Sequence, residues 1–392
     1  MSAKSAFRDP TLDVARGIGI LLVLYGHALE ILIKERPDQV LTQSAFDQWQ
    51  VIYAFHMPLF FLVSGAVNLN IKEKSLRQVA ENSLGLIFLA FIVHIAGSVV
   101  LFFDRVLPWT DLEVLKETFT PLIKGAGFST VVLWFLYAIA VVQFLFYLAM
   151  RSGELEKPRH RLALTAVLGL LCGVSILGLL FPNLPSYLQF KAWFLGLVYF
   201  AVGYFLSRTR RIALPLILAV PLLALLIVLA PLNHGCTFNL TPSCTDPSTP
   251  GHFAASVITG EIGNWLLFVT TALVGCAATL SLSRLKILRP LAYLGRCSLE
   301  LFLVNGFVLV FINHELTQIP ISELGFGLGG YDVIAGVVAA QIALVAVARA
   351  QLAALRTFSN RLAARATGVA IVLADRTFPA FRRLPLRGTV NN

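Results

Sequence analysis

Apolar runs long enough to cross a bilayer recur along the whole of this 392-residue chain. A helix needs about 20 consecutive apolar residues to cross the hydrocarbon core. With 57% of residues hydrophobic and only 13% charged, a water-soluble domain could not hide so much apolar surface. The expected fold is therefore an all-α polytopic membrane protein. The first residues, MSAKSAFRDP, carry no short apolar core with a small-residue cleavage site. The first run is read as a retained helix and not as a signal peptide.

Ten spans are expected, at about 12–33, 51–70, 83–103, 131–150, 161–181, 190–207, 212–231, 256–280, 290–313 and 331–351. Loop charge then orients them. Counting Lys and Arg in alternate loops and in the tail gives 22 on one side and 6 on the other. Basic loops face the cytoplasm, so both termini are expected there, and the protein is placed in a plasma membrane, the inner membrane of a bacterium. The formal charge of +10 is spread over these short loops and makes no nucleic-acid surface.

Two domains follow from this layout: a transmembrane domain over 1–351 and a basic tail over 352–392. The tail carries seven arginines and one aspartate, and is read as interfacial, on anionic lipid, or partly disordered. The longer outer loops are 104–130 and 232–255. The second holds Cys236 and Cys244, expected as a disulfide if the loop is outside; a metal site with His234 is the weaker alternative. All five tryptophans fall on the outer side, as an interfacial belt or as sugar-stacking platforms. Fixed-period repeats, Walker loops and HExxH are absent from the sequence.

The chemistry concentrates in LDVARGIGILLVLYGHALE, residues 12–30. Eleven helical steps separate Arg16 from His27. They return to within about 20° of the same face, roughly 16 Å along the axis. His27 lies about 9 Å from the outer end of span one, and His56 about 7–8 Å into span two from the same surface. One snorkelling arginine or one packed histidine would be ordinary. Three ionisable groups on two adjacent spans point to function, because their burial is costly. The expected geometry is a continuous duct with a guanidinium at its inner gate and imidazoles at its outer chamber.

LDVARGIGILLVLYGH followed by AFHMPLFFLVSG resembles the membrane-bound acyltransferase 3 family, in its stand-alone form without the esterase-like domain fused to some members. The matching positions are Arg16, His27, His56, Met57, Pro58, Leu59, Phe60, Phe61, Ser64 and Gly65. Further echoes are Trp134-Phe135-Leu136, the stretch Trp193–Tyr204 and Leu294–Asn305, so the resemblance covers about 12–313. The wording GIGILLVLYGH is most similar to the fucose 4-O-acetylase-like subgroup. Many members end the late segment with Tyr-Leu-x-His, whereas this chain ends it with Asn305. A role for that later histidine therefore does not carry over.

The resemblance implies transfer of an acyl group, most simply acetyl, from cytoplasmic acetyl-CoA or another acyl-CoA to a hydroxyl of an outward-facing glycan or lipid-linked sugar, with no metal. In that reading His27 is the general base, and His56 orients the acceptor, exchanges protons or donates to the oxyanion. Arg16 binds the donor phosphates with Lys72, Lys74 and Arg77. Asp13 orients Arg16, and Asp13, Glu30, Trp134, Tyr137, Glu261 and Asn305 are the candidate acceptor contacts. Arg296 and Glu300 are expected as a structural i,i+4 pair. His94 and Gln143 are expected as interhelical hydrogen-bond partners, and Lys191 as a snorkelling side chain. Membrane lipids are the remaining partner. A transporter or glycan flippase would also suit ten spans with buried charge, although no two-fold repeat supports it. A sensor that binds without reacting is a third class.

Overall fold

The computed structural model describes residues 10–35, 40–103, 119, 121–124, 131–155, 157–181, 184–209, 212, 214–233, 255–315 and 330–377. Cys236, Cys244, His234 and Trp109 lie outside the described residues. The regular elements described are all helical. We number the principal helices α1 (Thr11–Glu35), α2 (Val40–Tyr53), α3 (His56–Val67), α4 (Leu76–Phe103), α5 (Trp134–Ser152), α6 (Pro158–Leu180), α7 (Trp193–Arg208), α8 (Ala219–Leu229), α9 (Trp265–Leu282), α10 (Leu291–Arg296), α11 (Ser298–Glu315) and α12 (Tyr331–Thr377). Among the described residues, eight helical segments are long and apolar enough to cross a membrane. Two shorter apolar helices, Leu216–Leu232 and Ser298–Val308, fall where the seventh and ninth spans were expected.

Three elements depart from simple rods. The second span starts earlier than expected, at Val40, and breaks at Ala54–Phe55. Pro58 explains the break: it has no N–H to give the carbonyl four residues back, and its ring crowds that carbonyl. The ninth span divides at Cys297 into α10 and α11. The last helix passes residue 351 without interruption and runs for 47 residues to Thr377. At about 1.5 Å per residue it is roughly 70 Å long, over twice the hydrocarbon thickness. Its continuation is rich in Ala, Leu and Arg, all good helix formers, so lost hydropathy there does not mean lost helix.

α1 lies at the centre, packed against α2, α3, α9, α10, α11 and α12. Small residues set its closest approach. A Cβ on Gly17 would collide with the Leu291 carbonyl, and one on Gly295 with the Asp13 carbonyl. α1 and α10 therefore touch backbone to backbone, as small residues permit in membrane bundles. α3 and α7 meet in the same way at Gly65 and Gly203. In contrast, α6 and α8 turn apolar side chains outward, with Leu162 72% and Val220 76% exposed. That surface is suited to lipid.

Candidate functional site

The α1–α10 contact sets Arg16 and Arg296 beside their glycines, and both side chains line one cavity of about 410 Å³. Lys74, which follows α3, and Arg356 of α12 add two more cations. Ser64, Asn68, Asn82, Gln143, Ser298 and Asn360 supply neutral polar groups, and no carboxylate is among the lining residues. Four cations line one space with no carboxylate in its lining, a composition that suits a polyanion.

The other end of the cavity is apolar. Phe60, Phe135 and Phe302 line it, with Phe135 central: its ring centroid is 5.8 Å from Phe60 and 5.7 Å from Phe302. One helical turn further along these same helices stand His56, four residues before Phe60, and Asn305, three residues after Phe302. The histidines do not line the cavity. The described cavity thus does not reach the histidine end of the expected duct. Aromatic side chains can change rotamer, whereas a backbone contact could not yield so easily.

Beyond the rings, His27 Nδ1 lies 2.8 Å from Asn305 Oδ1, and Asn305 Nδ2 donates to Gln341 Oε1 at 2.9 Å. With the amides oriented this way, Asn305 Oδ1 can only accept. The proton of His27 then sits on Nδ1, which leaves Nε2 as the basic nitrogen. His56 is 4% exposed and its Nδ1 lies 2.9 Å from the Ile52 carbonyl. A carbonyl only accepts, so His56 also carries its proton on Nδ1. Neutral His56 therefore offers a lone pair at Nε2 and no donor there, and the expected donation to an oxyanion would require it to be protonated. The Tyr53 ring stands between the two imidazoles, 6.3 Å from His27 and 4.7 Å from His56 by centroids. Its hydroxyl donates to Glu30, and Trp49 Nε1 donates to the same oxygen at 3.3 Å.

A family model described as an acyltransferase domain matches residues 9–348. The chain belongs to the acyltransferase 3 family. Among curated relatives of this family member, Nodulation protein NolL of Sinorhizobium fredii is 42% identical over 64 residues, 16% of this chain and 17% of that protein. Nodulation protein NolL of Mesorhizobium japonicum is 35% identical over 116 residues, 28% of this chain and 30% of that protein. The chain thus spans less than a third of the length of these relatives. No solved structure matches it.

The family member's sequence-expected residues divide into those gathered and those left apart. Arg16 and Lys74 line the cavity. Lys72 lies 3.7 Å from Glu154, and Arg77 Nε donates to Glu81 at 2.7 Å; neither lines the cavity. Lys72 leaves the 3-10 turn Ile71–Glu73, and Arg77 leaves α4, each towards a carboxylate, a direction that sequence spacing alone did not give. Asn305 joins His27, and Glu30 is held by Tyr53 and Trp49. Asp13 is buried, 4% exposed, one turn before Arg16. Trp134 is packed edge-on against Phe135 with only 7% exposed, so it offers no open stacking platform in this conformation. Tyr137 is 1% exposed, and its hydroxyl has no hydrogen-bond partner among the described residues. Glu261 accepts from Thr259 at 3.0 Å, beside the buried Lys191, whose Nζ donates to the Thr259 carbonyl. That corner makes no described hydrogen bond to the histidine chain.

The expected Arg296–Glu300 pair does not form: Arg296 turns into the cavity, and Glu300 Oε2 is buried without a partner among the described residues. α10 ends at Arg296 and α11 begins at Ser298, so helical i,i+4 geometry is lost between them. Lys191 is buried with its Nζ on the Thr259 carbonyl, and Gln143 lines the cavity. His94 lies 3.5 Å from Ser98 Oγ on its own helix. Gln341, Arg356, Asn360 and Asn82 were missed. Gln341 had a signal, an amide in the middle of an otherwise apolar span. Among the described residues, no group of three His, Cys, Asp or Glu side chains is placed to hold a metal ion.

Proposed function

We propose that this family member is an integral-membrane O-acyltransferase, specifically an O-acetyltransferase, that moves an acyl group from cytoplasmic acyl-CoA to a hydroxyl of an outward-facing glycan or glycolipid. The observation that carries the reading is the Gln341–Asn305–His27 chain, one helical turn beyond the apolar end of a cavity lined by four cations. The membrane is taken as a bacterial inner membrane.

In this reading the phosphates of the donor rest among Arg16, Lys74 and Arg296, which match phosphate oxygens by charge-assisted hydrogen bonds. The thioester arm runs inward along Ile139 and Leu89 to the phenylalanine rings. Rotation of those rings admits the acyl carbonyl to the histidine level. His27 Nε2 takes the proton of the acceptor hydroxyl as its oxygen attacks the thioester carbon. Collapse of the tetrahedral intermediate breaks the carbon–sulfur bond, and the proton passes from His27 to the departing thiolate. Ester and free CoA result, with atoms and charge balanced. Asn305 holds the imidazole in the required tautomer throughout, and Gln341 holds Asn305. His56 Nε2 accepts a hydrogen bond from the acceptor sugar and so orients it. A positioned base of this kind contributes about 10²–10⁴-fold.

The test is mass analysis of cell-surface glycans from cells with and without the protein. Loss of one acyl mass per modified residue is the expected result. An unchanged glycan mass with the glycan held on the wrong side of the membrane would replace this reading with a flippase.

A further inference from the structure

The cavity takes two of its polar residues from chain that lies beyond the matched family region. That region ends at residue 348, whereas Arg356 and Asn360 line the cavity from α12. The segment that bears them is built into the bundle. Ser359 and Ala363, on the same turns, are fully buried. Arg349 stacks over the Tyr293 ring at 5.8 Å and ties α12 to α10. Asn360 approaches α4 at Gly85, where a Cβ would meet Asn360 Oδ1 at 2.5 Å. A glycine there makes room for the amide at the cavity wall.

Arg356 has no carboxylate partner among the described residues, and no carboxylate lines the space it faces. A guanidinium and an amide presented together to a space with three other cations suit phosphate oxygens. We infer that Arg356 and Asn360 bind the phosphate groups of the nucleotide donor, so that the helix beyond the matched region is part of the donor site. This rests on the donor assignment made above. Inorganic phosphate shares the same chemistry, and the experiment separates it from the nucleotide.

Full-length protein in nanodiscs of neutral lipid is titrated with CoA, with pantetheine, which lacks the phosphates, and with inorganic phosphate. Wild type, Arg356→Ala, Asn360→Ala, Arg16→Ala and Arg361→Ala are compared. Arg356 and Arg361 are both exposed, so neither substitution opens a core cavity. The expected result is CoA binding weakened about tenfold by Arg356→Ala, the scale of one lost charged hydrogen bond. Asn360→Ala should weaken it less, Arg361→Ala should leave it unchanged, and pantetheine and inorganic phosphate should bind far more weakly than CoA to every variant. Unchanged CoA affinity in Arg356→Ala alongside weakened affinity in Arg16→Ala overturns the role of α12 and leaves the donor reading standing. Equal losses in Arg356→Ala and Arg361→Ala overturn it as well, since they would mark general surface attraction. Inorganic phosphate binding as tightly as CoA overturns the nucleotide assignment, and wild type that binds no CoA overturns both readings.

Discussion

The side-chain oxygen of Asn305 lies 2.8 Å from Nδ1 of His27, a contact between residues 278 positions apart. It joins α11 to α1 at the level of the second histidine and decides which nitrogen of His27 is basic. Asn305→Leu should lower kcat about 10–100-fold with little change in KM for the donor, because orientation is lost while the cavity is untouched. Asn305→Asp, which still accepts from Nδ1, should retain more activity. Equal losses in both would mean that Asn305 acts through packing alone. Steady-state kinetics on solubilised protein distinguish these cases.

His27→Ala should reduce acyl transfer by at least 10²-fold while the protein still inserts and accumulates. Membrane fractionation beside an acylation assay measures both. Retained turnover removes His27 as the base.

Phe302→Leu should weaken the seal between cavity and histidines. A smaller side chain lets water reach the thioester, so hydrolysis of acyl-CoA without acceptor should rise relative to transfer. Its cost in stability should stay near 1–1.5 kcal/mol, since the swap remains apolar. Thiol release with and without acceptor gives the ratio. An unchanged ratio means the rings do not limit access.

Arg16→Ala and Arg296→Ala should each raise KM for acyl-CoA about tenfold, whereas Lys72→Ala and Arg77→Ala should change it less than twofold. The latter two side chains are engaged by Glu154 and Glu81 and stand off the cavity. Donor titrations at fixed acceptor test the contrast. A large effect of Lys72 with none of Arg296 would reverse the assignment of the cavity.

Gly295→Ala should destabilise the protein by about 1–3 kcal/mol, because the new methyl meets the Asp13 carbonyl of α1 and backbone cannot move aside cheaply. The same shift would separate Arg16 from Arg296 and raise KM for the donor. Thermal unfolding in detergent, read beside donor affinity, would show the two effects together.

Much of the bundle was legible from hydropathy. Helix class and the positions of the apolar segments follow from chain-local properties: each span must satisfy its own backbone hydrogen bonds in lipid, and its residues announce this one after another. Pro58 marks where α3 parts from α2, because it has no N–H to continue the helix. The extent of α12 was less visible, since helix propensity continued after hydropathy fell.

Hydropathy along the chain makes it a bundle of apolar helices and singles out Arg16, His27 and His56, because ionisable residues stand out against apolar surroundings. Their company is set by how the helices pack. Gln341 behind Asn305, Arg296 turned away from Glu300, and Arg356 and Asn360 reaching the cavity from the end of α12 all depend on which helix faces meet. Spacing along one helix fixes the direction of a side chain relative to its own neighbours. The partner it meets is set by helices hundreds of residues away, packed where glycines let their backbones touch.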